Sequence, residues 1–411
     1  MPARFRVLDS WRGVAAVLVV LYHGVFLGAL NDNAFVRGGY LFVDFFFVLS
    51  GFVIAHAYGD KLADPTAALG FMIRRFGRLW PLHFAILVAF AAAEGLNMAL
   101  NAHGGDAEAF RLSANDNTLY SFVTNLAMLN AIGLHRSITW NGVSWSIGAE
   151  FYAYLVFCLV TLVLRAAAWR LAAIIAFAAA LAVFALSNHR PPMDATFDLG
   201  GLRALYGFFV GFLVHAVFTR HRAAGEGLPY ASALETAALA VAVAFMTLSG
   251  EGRLSVAAPL FFAPVVFVFA HESGAISRLL LARPFAAIGA WSYSIYMTQG
   301  LIGAAYDRAI FLLDRRYGVW GLERFQIEGR DYWSAHAGGW ATDALTLALI
   351  ALVVVASAVS FRWIEEPARK YFNRLAARAE ARLAQAKPRW PTIAAKSRAV
   401  EGRPAAGRRA L

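Results

Sequence analysis

The whole chain contains one cysteine, Cys158, set inside an apolar run. That excludes an intramolecular disulfide framework and any cysteine-based metal site. Charge is also scarce: Asp, Glu, Lys and Arg make up 15% of the residues, where soluble proteins carry about a quarter. With 60% apolar residues, an ordinary soluble enzyme is excluded. No small-residue cleavage site follows the first apolar run, "LDSWRGVAAVLVVLYHGVFLGALNDN", so that run reads as a retained helix rather than a signal peptide. No internal repeat is visible, and an inverted-repeat transporter gains no support.

What the sequence has is a series of apolar stretches, each long enough to cross a hydrocarbon core of about 30 Å. Ten spans are expected, near 12–30, 39–57, 79–98, 143–164, 171–187, 200–218, 231–249, 255–271, 285–306 and 341–363. The fold class is therefore an all-α polytopic membrane protein. The net charge of +11 first suggests nucleic acid, but its placement argues for a bilayer. Arg4 and Arg6, the Arg74–Arg78 cluster, Arg165 and Arg170, Arg220 and Arg222, Arg278 and Arg283, and the basic tail all fall on one side. By the positive-inside rule that side is cytoplasmic, and both termini lie there. The loop at 307–340 is nearly neutral. The segment 118–134, "TLYSFVTNLAMLNAIGL", would invert every later helix if it crossed, so it is expected to be re-entrant or interfacial. Residues 1–372 form the membrane domain, and 373–411 form a basic cytoplasmic tail that begins as a helix and ends disordered.

Ionisable groups at membrane depth are costly, and they mark the places to look. Arg12 and His23 are eleven residues apart. In a helix they share a face at about 16.5 Å separation along the axis. Asp44 and Ser50 lie in "LFVDFFFVLSGF", Glu150 in "NGVSWSIGAEFYAYL", and Gln299 in "SYSIYMTQG". His23, Asp44, Glu150 and Gln299 come from four helices and are expected at one depth, in the outer half of the membrane. Each also has a plainer reading. His23 could bond a nearby backbone carbonyl, and Asp44 could sit at a helix N-terminus for its dipole. Glu150 could pair with Arg203 of "LGGLRALYGFFVGFL", and Ser50 could be a small packing residue beside Gly51. In "FMIRRFGRLWPLHF", Arg74, Arg75 and Arg78 are either an interface anchor or a set of guanidinium forks for phosphate.

Taken in order, "LDSWRGVAAVLVVLYHG", "FFFVLSGFVI", "RRFGRLWPLH", "WSIGAEFYAYLVF", "LRALYGFFVGFL", "SYSIYMTQG" and "FRWIEEPARKYF" resemble acyltransferase family 3 of membrane proteins. The resemblance implies transfer of an acyl group, usually acetyl from cytosolic acetyl-CoA, to a hydroxyl that often belongs to a surface glycan. It implies functional places for Arg12, His23, Ser50, Gly51, Arg75, Arg78 and Glu150. One departure stands out: many members have histidine where this chain has Gln299, which can only hydrogen-bond.

On this reading His23 is the general base. Glu150 or Asp44 orients it, and Ser50, Gln299 or a backbone amide serves the oxyanion. Arg12, Arg74, Arg75 and Arg78 hold the phosphates of acyl-CoA, a donor substrate and not a tightly bound cofactor. No metal is expected. The acceptor, a glycan or glycolipid, is expected from the outer side near Trp140, Trp145 and the 307–340 loop, with Arg203 also in the substrate set. The expected setting is a bacterial inner membrane, with the bilayer, and a second copy or a glycan-assembly protein, as partners and no nucleic acid. The rival reading is a proton-coupled transporter or flippase of a glycan or small metabolite, with His23, Asp44 and Glu150 relaying protons.

Overall fold

The computed structural model describes residues 4–386 apart from 63, 103–115, 165–166, 190, 226, 250, 328–329 and 337. In chain order the α-helices are α1 (Arg6–His23), α2 (Ala34–Arg37), α3 (Phe42–Tyr58), α4 (Pro65–Ala102), α5 (Leu119–Leu126), α6 (Trp145–Leu164) and α7 (Ala168–Leu186). They continue as α8 (Gly200–Ala223), α9 (Ala231–Ser249), α10 (Ala258–Phe269), α11 (Ala275–Leu280), α12 (Arg283–Tyr317), α13 (Gly339–Ser360) and α14 (Glu366–Ala386). Among the described residues, seven helical stretches are long and apolar enough to cross a membrane: Ala34–Tyr58, Pro65–Leu96, Gly142–Leu164, Ala168–Leu186, Gly200–Ala223, Ala231–Ser249 and Gly339–Gln385. The protein is therefore a polytopic helical membrane protein. Three further expected spans are helical but fall short of that measure. α1 carries Arg6, Asp9 and Arg12 within its first turns, α10 has 12 residues, and α12, though continuous, carries Ser292, Ser294, Thr298 and Gln299 within its apolar stretch.

Two departures from an all-α reading of the loops have local causes. Within 307–340 a two-stranded antiparallel hairpin forms, β1 (Leu322–Ile327) and β2 (Arg330–Ala335), with Leu322 opposite Ala335 and Arg324 opposite Trp333. Asp314 holds its base by accepting from the N–H groups of Trp320, Gly321 and Leu322 at 2.6, 2.9 and 2.7 Å. Slight burial raises the pKa of that carboxyl, but the three donors outweigh it and keep it below the ordinary carboxylate range. The second departure is in 118–134, where the helix stops at Leu126 and Met128 takes a left-handed φ of 58°. Eight residues rise only about 12 Å, too little to cross. Trp80 Nε1 donates to the Leu126 carbonyl at 3.0 Å, and His83 Nε2 lies 2.7 Å from the Asn125 carbonyl, so α5 is pinned to α4.

The interior is held by close helix crossings. A Cβ on Gly13 would overlap the Gly289 backbone, which brings α1 onto α12. A Cβ on Gly51 would overlap the Phe208 carbonyl, which brings α3 onto α8. Small residues at such crossings give backbones the approach that van der Waals packing needs in lipid. At the head of the α3–α8 pair lies a fully buried ion pair. Arg203 Nε and Nη2 donate to the two Asp44 oxygens at 2.9 and 2.7 Å, with both side chains almost completely shielded (1% and 0% exposed). The remaining guanidinium donors reach the carbonyls of Ala195 (3.2 Å) and Tyr40 (3.1 Å). The rings of Trp145 and Tyr40 lie 5.2 and 5.6 Å from its carbon.

α13 runs through a π-helical turn, Phe361–Glu365, into α14, which lies against α4. Arg74 donates to Glu380 at 2.7 and 3.3 Å, and Phe372 packs against Phe76 with ring centres 5.7 Å apart. α14 passes through the expected domain boundary at 372/373 without a break. The expected disordered end of the tail lies in 387–411, outside the described residues.

A prediction follows from the Asp44–Arg203 pair. Asp44→Ala leaves a buried guanidinium without its counter-charge and should cost about 3–5 kcal/mol. The double change Asp44→Leu/Arg203→Met should recover most of that loss. Thermal unfolding in detergent of the two variants beside the parent protein checks it.

Candidate functional site

Five helices line one partly open cavity of about 70 Å³, room for several water molecules. α1 brings Arg12, α3 brings Ser50, α4 brings Arg75 and Arg78, α6 brings Ser146, Glu150 and Tyr154, and α12 brings Ser292, Tyr293 and Tyr296. Ser50 reaches it because Gly51, its neighbour, takes the crossing with α8. The packing role expected for Ser50 thus belongs to the glycine beside it.

At the centre is a carboxylate with two hydroxyl donors. Ser50 Oγ and Tyr154 OH each donate to Glu150 Oε1 at 2.5 Å, and the two hydroxyls are 3.1 Å apart. Tyr154 is four residues beyond Glu150, one helical turn along the same face. Beside them the Arg75 guanidinium lies among the rings of Tyr58, Phe71 and Tyr154 at 5.5, 5.7 and 6.0 Å. Its only hydrogen bond among the described residues is a long one to Tyr58 OH, 3.5 Å. Arg12 and Arg78 make no hydrogen bond or ion pair among the described residues. Each feels the other's charge instead, with Asp9, Glu150 and Glu365 as the opposing carboxylates. Three guanidiniums against one carboxylate line the cavity, so it is a place prepared for anionic oxygens.

The other sequence candidates lie elsewhere. Asp44 is bound through both oxygens to Arg203 and does not orient His23. Arg203's carboxylate is therefore Asp44, not Glu150, and a guanidinium sealed in this way does not face a substrate. Trp145 is buried (6% exposed) against Arg203 and Phe47. Trp140, also buried, donates from Nε1 to Ser121 Oγ at 3.0 Å. Neither ring offers a face to a sugar. Arg74 is paired with Glu380 and does not line the cavity. Gln299 Nε2 donates to the Tyr296 carbonyl at 3.0 Å, and Gln299 does not line the cavity.

His23 is the last residue of α1. It is exposed and outside the cavity lining. Its Nδ1 lies 2.9 Å from the Val19 carbonyl. A carbonyl can only accept, so in the neutral ring Nδ1 carries the proton and Nε2 the lone pair. The orienting partner is backbone, in place of Asp44 or Glu150. Directly after His23, the chain joins the hairpin: Trp333 N donates to the Val25 carbonyl and Leu27 N to the Trp333 carbonyl, both at 2.8 Å.

Sequence reasoning passed over Tyr154, Tyr293, Tyr296 and Glu365. The i+4 spacing from Glu150 was the available signal for Tyr154. Glu365 is 2% exposed and accepts from Ser294 Oγ at 2.9 Å. It points inward because the π-turn adds a residue to the helix and rotates it, a geometry common at functional sites.

Comparison with known proteins agrees with this architecture. Residues 5–363 match the acyltransferase family 3 model, described as an acyltransferase domain. Over 385 residues the chain is 26% identical to the "Putative membrane-bound transacylase BcsY" of Komagataeibacter xylinus, covering 90% of this chain and 84% of that one. A stretch of 93 residues is 50% identical to "Protein 2 in picA locus" of Rhizobium radiobacter, covering 22% of this chain and 46%, less than half, of that protein. No solved structure matches. The motifs lie in family order, and the family model spans all five cavity-forming helices: this chain belongs to the acyltransferase family 3 of membrane proteins.

Proposed function

We propose that this membrane acyltransferase moves an acyl group, acetyl as the leading choice, from cytosolic acyl-CoA to a hydroxyl of an extracytoplasmic or lipid-linked glycan. The protein would sit in a bacterial inner membrane with ten spans and both termini cytoplasmic. The observation that carries the donor half is the convergence of Arg12, Arg75 and Arg78 on one cavity, with Arg12 and Arg78 lacking ion-pair partners among the described residues. CoA phosphates supply the charge that these guanidiniums lack. The cavity is small, so side chains must part to admit the donor.

His23 lies about 16.5 Å along α1 from Arg12, so a pantetheine arm laid along the helix brings the thioester toward it. Nε2 takes the proton of the acceptor hydroxyl as the oxygen attacks the thioester carbonyl. The C–S bond then breaks, and the CoA thiolate leaves with that proton. Glu150, hydrogen-bonded to Ser50 and Tyr154, sets the charge beside Arg75 and Arg12 and keeps the guanidinium cluster from repelling itself apart. The transporter reading draws on His23, Asp44 and Glu150 as proton carriers. Asp44 is locked to Arg203, and no observation favours that reading over the enzyme.

The deciding experiment supplies purified protein in detergent with acetyl-CoA and a polyol or glycan acceptor and follows release of free CoA. Turnover supports the enzyme, whereas a transporter shows none without a sealed bilayer. Arg12→Ala and Arg78→Ala should each raise KM for acyl-CoA about 10-fold or more while KM for the acceptor stays near its starting value. An unchanged donor KM would take the guanidiniums out of the donor site. His23→Ala should abolish transfer while the protein still accumulates in the membrane. Near-normal turnover in that variant would remove His23 from the chemistry.

A further inference from the structure

Where α13 turns into α14, the surface of the protein carries a groove of about 990 Å³ that the transfer reaction does not use. Its upper wall is apolar, with Val354, Val355 and Val359 from the last two turns of a helix long enough to cross a membrane. Its lower wall carries three basic residues, Arg362, Lys370 and Arg374, and one carboxylate, Glu366. Lys370 is partnered by Glu366 at 2.9 Å. Arg362 and Arg374 make no hydrogen bond or ion pair among the described residues. Between the two walls stands Trp363, 74% exposed. The π-turn that rotates Glu365 inward also sends Trp363 outward.

We propose that this groove binds one anionic phospholipid. An acyl chain lies along the valines, the headgroup lies along the basic wall of Arg362, Lys370 and Arg374, and the Trp363 indole marks the polar–apolar boundary. Three observations agree on that occupant. The apolar-to-basic order follows the order of a phospholipid from tail to headgroup. The basic pair lies just beyond the end of a membrane-length helix, where headgroups are found. An exposed tryptophan at that level is the usual interfacial anchor. A zwitterionic lipid satisfies the apolar wall but brings no net charge to a basic wall whose three cations outnumber its one carboxylate, Glu366.

The test uses the full-length protein reconstituted in phosphatidylcholine with a minor fraction of phosphatidylglycerol, and native mass spectrometry counts retained phosphatidylglycerol. Arg362→Gln/Arg374→Gln should weaken retention roughly 30-fold, from two surface charges. A control, Arg220→Gln/Arg278→Gln, removes two basic charges from other helix ends and should leave retention unchanged. Equal loss in both variants would mean general surface attraction and would overturn the site, as would undiminished retention in the first. If the first variant does not fold, a second readout needs no charge change. Brominated phosphatidylglycerol should quench the Trp363 signal, taken as the difference between parent and Trp363→Phe, more strongly than brominated phosphatidylcholine. Equal quenching would overturn the proposal.

Discussion

The organisation of this protein depends on the cost of placing charge where water is scarce, and the Asp44–Arg203 pair shows how that cost is met. All three nitrogens of the Arg203 guanidinium donate, through four hydrogen bonds, both carboxylate oxygens accept, and aromatic rings lie against the guanidinium. A pair of this kind adds little net stability over a well-packed apolar substitute, but it tolerates only one register. It fixes α3 against α8, and the Gly51 crossing completes the fit. Ser50, six residues beyond Asp44, then sits about 120° round the helix. That turn delivers its hydroxyl to Glu150 while Asp44 stays with α8.

The second cluster of charge follows the opposite rule. Arg12, Arg75 and Arg78 come from two helices and crowd one cavity with fewer carboxylates than guanidiniums. A fold that neutralises Arg203 so completely, and Arg74 by Glu380, leaves these three short of counter-charge. The contrast between a closed ion pair and an open cationic cavity, within one membrane domain, separates arginines with matched partners from arginines short of them. Glu365, reached only through the π-turn, tempers the open cluster without closing it.

Much of this was legible in the sequence, and the rest was hidden for identifiable reasons. Apolar length revealed the helices from α3 to α9 and α13, because hydropathy is a local property. Arg12, Ser50, Arg75, Arg78 and Glu150 stood out as polar groups at membrane depth, and the cavity gathers all five. Partnership was not legible. Asp44 and Arg203 are 159 residues apart, and nothing in either neighbourhood distinguishes Arg203 from an arginine that meets Glu150. The same holds for Arg74, which looks equivalent to Arg75 and Arg78 until α14 brings Glu380 to it. The hairpin at 322–335 was read as a neutral loop because its charges alternate in sign. Glu365 escaped because a π-turn shifts the helical phase on which any face argument rests.

The C-terminal end of α1 is held by more than its own helical hydrogen bonds. Helix termini ordinarily fray, and His23 is a terminal residue. The two backbone hydrogen bonds between Trp333 and the Val25–Leu27 segment clamp the chain two residues beyond it, while Asp314 anchors the hairpin that supplies Trp333. The imidazole therefore sits at the end of a rod held from both sides. Its orientational freedom is set by a surface hairpin as much as by the helix that carries it.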